Sequence, residues 1–552
     1  MNDQYEALYT TFRWWVPQRF NLAEVCCRRW THTSSDARRI AVYAEDPQGQ
    51  REVWTFARLQ EYANRLSNGL RRTGVQRGDR VAIALPQRPE ALVAHLAVYQ
   101  MGAIAVPLSA GLDAAVFEQR LRDSEARIAL VDAAGADALL RAVDRCPLLR
   151  QSIGIDLDDE RVLPWRSLIA RQESAFDMQP TAASDPALLL YTPGTGGAPK
   201  GILLPHAALI GNLPGFVSAQ DWFPQRTDIL WTAFDWAGAQ GLFGAVLPCL
   251  YFGQPLVASR QPHTAAETLA LLERYQVSNA ALAPADLRAL LQAAEGGGHE
   301  LALRALAVTG APLGAGLFER CVRTLDVIPN ETYGQAEVGI VAGQSRDKWP
   351  ARPGSMGRPY PGHQVVVADP SGRVLPAGAV GEILVNRYDL TGHPDPAFFL
   401  GYWRGEEAGR PSGGIWHRTG DLAHADEDGY LWFAGRAEDA IVIDGHRFAP
   451  EAIEDCLLQL PELADAAVVA VTGAEGRPMV KAFVVRAGEA GTGEEDLLPA
   501  AVADHARRHL PPGQAPAAIE FVARLPRTAD GRLRRHVLRQ QEEERAARQP
   551  VG

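Results

Sequence analysis

Lysine is the scarcest basic residue in this chain: only Lys200, Lys348 and Lys481 occur among 55 lysines and arginines. An arginine at any one position is therefore weak evidence that the site selects a guanidinium over an ammonium. Cysteine is sparse as well. Cys26, Cys27, Cys146, Cys249, Cys321 and Cys456 show neither metal-ligand spacing nor a paired framework, which argues against a zinc module and a disulfide scaffold and fits a reducing cytoplasm. Positive charge falls short of negative. The net charge of −11 argues against a general nucleic-acid binder. The first 20 residues carry acids and lack an apolar signal-peptide core, so no export signal is read there. Internal repeats are absent. One run, residues 236–259, lacks charge and is long enough to span a bilayer. It also holds Gly238, Gly241, Gly244, Gly253, Pro248 and Pro255, which predicts a buried glycine-rich helix followed by a short strand from Leu256.

At 552 residues the chain exceeds what one core organises, so two or more domains are expected. Residues 1–35 read as a helical lead-in, and 36–55 as a short hairpin with Trp54 turned inward. From 56 to 73, Leu59, Ala63, Leu66 and Leu70 recur at helical spacing. Strands at 80–85, 103–107 and 128–131 alternate with helices at 90–100 and 117–124. The alternation resumes with helices at 264–274 and 286–293 and strands at 280–282, 303–308 and 327–328. Such alternation predicts an α/β fold with a largely parallel sheet covered on both faces. After His363 the runs at 365–368 and 381–385, separated by a Pro-Ser-Gly turn, read as a small antiparallel unit. The polar stretch 436–439 separates two apolar runs and marks the start of a small α+β C-terminal domain; 542–548 reads as a charged, frayed helix.

Four stretches carry chemistry. The first, residues 188–201, is an apolar run that breaks into Thr192, Gly194, Thr195, Gly196, Gly197, Pro199 and Lys200. Glycines free backbone N–H groups to turn toward an anion, the threonines add donors, and Lys200 adds a point charge suited to phosphate. No Gly-Lys-Ser/Thr opens a helix here, so this is not a Walker A loop; a plain glycine-rich hairpin is the alternative. The second is Glu331-Thr332-Tyr333-Gly334-Gln335-Ala336-Glu337, read as following a strand, preceded by Gly310-Ala311-Pro312. Loops leaving strand ends are where α/β proteins bind ligands, although an ordinary strand-to-helix turn looks the same. The third is Thr419-Gly420-Asp421, a common turn when taken alone, whose carboxylate could accept both ribose hydroxyls; Gly435-Arg436-Ala437-Glu438-Asp439 and Gly445-His446-Arg447 follow it. The fourth is Leu525-Pro526-Arg527-Thr528-Ala529-Asp530-Gly531-Arg532.

Taken together and in this order, the four resemble the adenylate-forming enzymes: acyl-CoA synthetases, luciferases and peptide-synthetase adenylation domains. The first is similar to their phosphate loop, with Pro193 in place of a serine and Gly196 in place of a threonine. The second resembles Tyr-Gly-x-Thr-Glu, which implies that Tyr333 packs on adenine and Glu337 helps hold Mg²⁺, with Ala336 replacing the threonine. Gly310-Ala311-Pro312 resembles the Gly-Glu-Pro turn beside adenine, with Ala311 in place of the glutamate. Phe399-Leu400-Gly401-Tyr402-Trp403 also matches the family pattern. The resemblance implies that Asp421 and Arg436 meet ribose, that Glu438 is a hinge, and that Gly445 and Arg447 approach the CoA arm. It places Arg532 where the family has a catalytic lysine. Arginine keeps the charge without the compact ammonium, which predicts slowed adenylation.

The resemblance implies an N-terminal AMP-binding domain over 1–435 with a small β-barrel-like unit, a hinge at 436–439, and a mobile C-terminal domain over 440–552. It implies an ATP-dependent carboxylate–CoA ligase that uses ATP, Mg²⁺ and coenzyme A. Catalytic roles fall to Lys200, Glu337 and Arg532, and nucleotide and CoA binding to Thr192, Gly194, Thr195, Gly196, Gly197, Gly310, Ala311, Pro312, Thr332, Tyr333, Gly334, Gln335, Asp421, Arg436, Gly445 and Arg447. Two other readings stand beside it: an enzyme that loads a carrier protein, and a degenerate protein that binds a nucleotide or acyl-CoA with weak turnover. Short-chain acetyl-CoA synthetases carry a tryptophan at the position of Gly334, so glycine predicts an open acyl pocket, bordered by Trp236, Ala237, Gly238, Val338 and Gly339, for a medium-chain or aryl acid. Partners are a small carboxylic acid, ATP and CoA, without nucleic acid or a membrane span; the oligomeric state is not legible.

Overall fold

The computed structural model describes residues 3–192, 200–260, 263–403, 414–439, 441–443, 446–448, 450–473, 478–487, 499–511, 513–527 and 533–548. It divides into two compact units. The first holds Met1–Val365 and Val385–His417, the second Val366–Leu384 and Arg418–Gly552.

Local signals account for many of the first unit's elements. In the helix Phe56–Arg72, Phe56, Leu59, Ala63, Leu66 and Leu70 are buried along one face. Thr55 caps it by accepting from the Arg58 N–H at 3.2 Å, and Arg71 and Arg72 sit in the last turn, where the helix dipole favours cations. The helix Ala265–Arg274 starts on a reciprocal capping box between Thr264 and Glu267. The strands Ile104–Pro107 and Ile128–Asp132 are buried throughout, as strands covered on both faces must be.

These strands form two sheets. In one, the described order is Gly401–Tyr402, Lys200–Pro205, Pro186–Thr192, Ile104–Pro107, Arg80–Ala84, Ile128–Asp132, Gln151–Ile155, Leu163–Pro164. In the other it is Arg358–Pro359, Gly339–Gly343, Pro329–Gln335, Ala305–Val308, Asn279–Leu282, Leu230–Thr232, Leu256–Ser259, Ile40–Glu45, Arg51–Thr55. The central pairings of both are parallel, and antiparallel pairs flank them.

The uncharged run after Trp236 resolves into a helix Ala239–Gly241, a π-turn Leu242–Val246, a helix Leu247–Tyr251 and the strand Leu256–Ser259. Among the described residues no helix is long and apolar enough to cross a membrane. Sequence and structure differ at the second motif. Its strand was expected to end before Glu331, yet Pro329–Gln335 is continuous strand, because Thr332 through Gln335 pair antiparallel with Gly339–Gly343.

The second unit holds most of a sheet of Val365–Ala368, Gly381–Asn386, Trp416–Ala425 and Leu431–Arg436, and all of a sheet of Leu463–Thr472, Pro478–Arg486 and Ala518–Phe521. Ile453, Leu457, Val468, Val480, Ala482 and Val502 form part of its core with the helices Pro450–Leu457 and Pro499–His509.

Candidate active site

In the first unit, several motif residues meet at neighbouring strand ends. Ala305–Val308 and Pro329–Gln335 run parallel, with Val308 beside Glu331. The turn Gly310-Ala311-Pro312 leaves the first of them, exposed, with Gly310 at φ +96°. The Thr309 hydroxyl donates to the Thr332 carbonyl at 3.1 Å and ties the turn to the second strand. Thr332, Gly334 and Gln335 line a pocket, and Glu331 and Tyr333 are not in its wall.

Glu331 opens the second motif, but the resemblance assigns it no role. It is 3% exposed, and its carboxylate accepts from the Leu313 N–H at 3.3 Å, directly under the Gly310–Pro312 turn. Burial pushes its carboxyl up to about 8, against the small opposing pull of the Leu313 bond.

Lys200 and Glu337 are linked by a side chain that the sequence placed only in a matching run. The Tyr402 hydroxyl donates to Glu337 Oε1 at 3.3 Å, and Lys200 Nζ lies 5.0 Å from the centre of the Tyr402 ring. Backbone pairing sets this up. Gly401 and Tyr402 pair with Leu203 and Ile202, the Trp403 N–H donates to the Gly201 carbonyl, and the Phe399 N–H donates to the Glu337 carbonyl. Thr192 pairs with Lys200 across the antiparallel strands Pro186–Thr192 and Lys200–Pro205. The loop residues Gly194, Thr195, Gly196 and Gly197 lie outside the described residues.

The pocket beside these strands has aromatic walls. Phe216 from the helix Ala208–Ala219, Phe234, and Phe243 from the π-turn line it. Small residues, Ala219, Ala281 and Ala307, widen it, and Gln240, Thr332 and Gln335 add polar groups. Gln335 faces His417, whose ring Nε2 is 3.4 Å from Gln335 Oε1. His417 is 4% exposed among Phe398 and Phe399, and burial pushes it down to about 4, so it is neutral at pH 7.

Two expectations about this pocket need correction. Of the five residues expected to border it, Gly339 lines it; Trp236 and Val338 are core residues at 2% and 0% exposure, and Ala237 and Gly238 are not in its wall. The helix and π-turn after Gly238 rotate the lining role onto Ala239, Gln240, Phe243 and Gly244. Gly334 does line the pocket, but not because glycine leaves room. A Cβ there would sit 2.1 Å from the Gly339 carbonyl oxygen, so Gly334 permits the close approach of two strands at a register shift.

In the second unit, Asp421 and Arg436 are cross-strand partners, and Arg436 Nη1 meets Asp421 Oδ1 at 2.8 Å. Arg436 Nη2 lies 3.3 Å from Glu438. Burial alone would lower the Arg436 guanidinium, but Asp421 and Glu438 outweigh it and hold it charged. Gly420 turns at φ +70°, and its N–H donates to Glu382 Oε1 at 3.1 Å. Asp439, the residue after Glu438, pairs with Arg539 at 2.9 Å and with Arg535 at 3.3 Å, and Arg535 in turn holds Glu451 and Glu454. Arg447 is in the strand His446–Phe448 opposite Val442, with only its backbone described. Gly445 and Arg532 lie outside the described residues.

Glu337 suits a cation of the Mg²⁺ type that takes one carboxylate and fills its remaining positions with phosphate oxygens and water. Among the described residues no group of three or more His, Cys, Asp or Glu forms a protein-only metal cage.

A two-sheet α/β unit with a nucleotide-type motif at adjacent strand ends, followed by a small α+β unit, defines the class of adenylate-forming ligases. The family described as AMP-binding enzyme matches residues 29–403, and the AMP-binding enzyme C-terminal domain matches residues 452–532. An uncharacterized acyl-CoA ligase of Bacillus subtilis (strain 168), YtcI, is 30% identical over 516 residues, which cover 93% of this chain and 94% of that protein. The mitochondrial acyl-coenzyme A synthetase ACSM3 of Rattus norvegicus is 27% identical over 98% of this chain and 93% of its own length. The crystal structure of the anthranilate CoA ligase AuaEII with anthranoyl-AMP superposes with a TM-score of 0.86 at 25% identity, covering 96% of this chain and 99% of that one. The chain belongs to the AMP-binding enzyme family. It is an ATP-dependent, AMP-forming acid–thiol ligase of the acyl-CoA synthetase branch, with ATP and CoA as co-substrates.

Proposed function

We propose that the acid is an aryl or medium-chain carboxylate bound in the Phe216–Phe234–Phe243 pocket. The carrying observation is that this aromatic pocket shares the strand Pro329–Gln335 with the nucleotide-type motif, with Thr332, Gly334 and Gln335 in its wall and Tyr333 outside it. An acid seated there is held beside an adenine stacked on Tyr333. The acyl group of the anthranoyl-AMP in AuaEII supports an aryl acid.

In this reading the carboxylate attacks the α-phosphorus of ATP, pyrophosphate leaves, and the CoA thiolate then displaces AMP. No covalent enzyme intermediate is required; the protein supplies position and charge. Thr192, Lys200 and the glycine-rich loop from Gly194 to Gly197 hold phosphates. Gly310, Ala311 and Pro312 flank adenine, and Gln335, held by His417, orients its amide at the mouth of the pocket. Glu337, with Tyr402 bonded to it, would hold Mg²⁺, which supplies charge neutralisation at the phosphates. Asp421 takes the ribose hydroxyls with Arg436 fixed beside it, and residues 436–439 are the hinge between residues 1–435 and the mobile 440–552. Arg532 takes the charge-stabilising role in adenylation, and Gly445 and Arg447 meet the CoA arm. The cytoplasm is the proposed compartment, in keeping with six free cysteines.

Pyrophosphate exchange into ATP with a panel of benzoates and C4–C12 fatty acids tests this, followed by thioester formation with CoA. Exchange that depends on an aryl or medium-chain acid is expected. Exchange with acetate alone, or with none of the acids, overturns it.

A further inference from the structure

Three glycines line the pocket, Gly244, Gly334 and Gly339, and they differ in what a side chain would meet. At Gly334 a Cβ would strike the Gly339 carbonyl at 2.1 Å. At Gly339, where φ is +76°, it would lie 2.9 Å from Asn212 Oδ1 and 3.0 Å from Ala397 Cβ. At Gly244 a Cβ meets nothing within 4 Å, and the backbone is outside the left-handed region. Neither close packing nor conformation requires glycine there.

Gly244 sits in the π-turn Leu242–Val246, where Leu242, Phe243, Ala245 and Val246 are all buried and Gly244 is partly open. A π-turn inserts an extra residue into a helical wall and recurs at functional sites. Glycine is a poor helix former, so its presence in this wall carries a stability cost that no backbone feature explains. Gly244 is one of the residues that line the pocket.

We propose that Gly244 is the specificity-determining residue for acid size. By omitting a side chain from the helical wall it keeps open the space that the distal, apolar end of the acid fills. The favoured substrate is then an acid bulkier than benzoate, an aryl acid with an apolar ring substituent. This rests on reading the pocket as the acyl site.

The test uses the full-length chain with Gly244→Ala and Gly244→Leu. Acid binding is read by ligand-induced thermal shift and adenylation by pyrophosphate exchange, with benzoate, 4-methylbenzoate and 4-butylbenzoate. In the parent, 4-butylbenzoate is expected to exceed benzoate in kcat/KM. Gly244→Ala should lower the 4-butylbenzoate to benzoate ratio by about 10–200-fold, the range for modest changes of apolar size, and Gly244→Leu by more, with the KM for ATP unchanged. The unfolding temperature of Gly244→Ala should equal or exceed that of the parent, since alanine is the better helix former. A ratio unchanged in a folded Gly244→Ala, or equal loss of every acid, overturns the role of Gly244 while the acyl-site reading stands. A parent that neither binds nor adenylates any of these acids overturns both.

Discussion

Replacing Glu331 by glutamine should change how the stability of the first unit depends on pH. The carboxyl is 3% exposed, and burial raises it from 4.5 to about 8. Below pH 4.5 folded and unfolded chains are both protonated at this residue. Between 4.5 and 8 the unfolded chain loses the proton and the folded chain keeps it, so stability falls as pH rises; above 8 both are ionised and the dependence flattens. The full slope is about 1.4 kcal/mol per pH unit. From pH 5 to pH 7 this one group therefore removes roughly 2–3 kcal/mol from the folded state. Glutamine keeps an oxygen for the Leu313 N–H, which bonds the Glu331 carboxyl oxygen at 3.3 Å, and does not titrate. Urea unfolding of parent and Glu331→Gln at pH 5, 6, 7 and 8, followed by tryptophan fluorescence, reads the difference directly. The variant should gain on the parent steadily from pH 5 to 8. Parallel curves would refute the reasoning, because they would mean that Glu331 is ionised in the folded protein.

Gly334→Ala should lower stability by about 1–3 kcal/mol, as overpacking does, and weaken adenylation of all acids alike, because the clash is with backbone. A clean shift toward acetate with unchanged unfolding would instead make Gly334 a pocket-depth residue. If residues 440–552 swing as proposed, Arg532→Lys should accelerate acyl-adenylate formation by up to about 10²-fold and leave conversion of supplied acyl-adenylate with CoA nearly untouched. Equal stimulation of both half-reactions in rapid-quench assays would remove that role.

Much of the fold was legible because its causes are local. Leu59, Ala63, Leu66 and Leu70 fall within one helix, so their shared face could be read from spacing alone. Alternation of short apolar runs with helical stretches was enough to imply parallel sheets covered by helices. The motif residues were legible as motifs for the same reason: each is a contiguous string whose glycines, hydroxyls and charges can be read without a partner.

What tertiary structure alone decided is non-local. Pro329–Gln335 extends through its motif because Gly339–Gly343 folds back to pair with it. Tyr402 reaches Glu337 and Lys200 because Gly401–Tyr402 pairs with a strand nearly two hundred residues earlier, and Asp421 meets Arg436 across a strand pair. The pocket draws its walls from Phe216, Phe234, Phe243, Ala281 and Thr332, which no sequence window holds together. A glycine looks the same in every sequence, yet Gly334 faces a carbonyl oxygen and Gly244 faces open space. The sequence by itself determined which residues were present and how each element would bury its apolar face. Whether a missing side chain meant close packing or room for a substrate depended on what the chain brought opposite it, and contacts between distant segments set that.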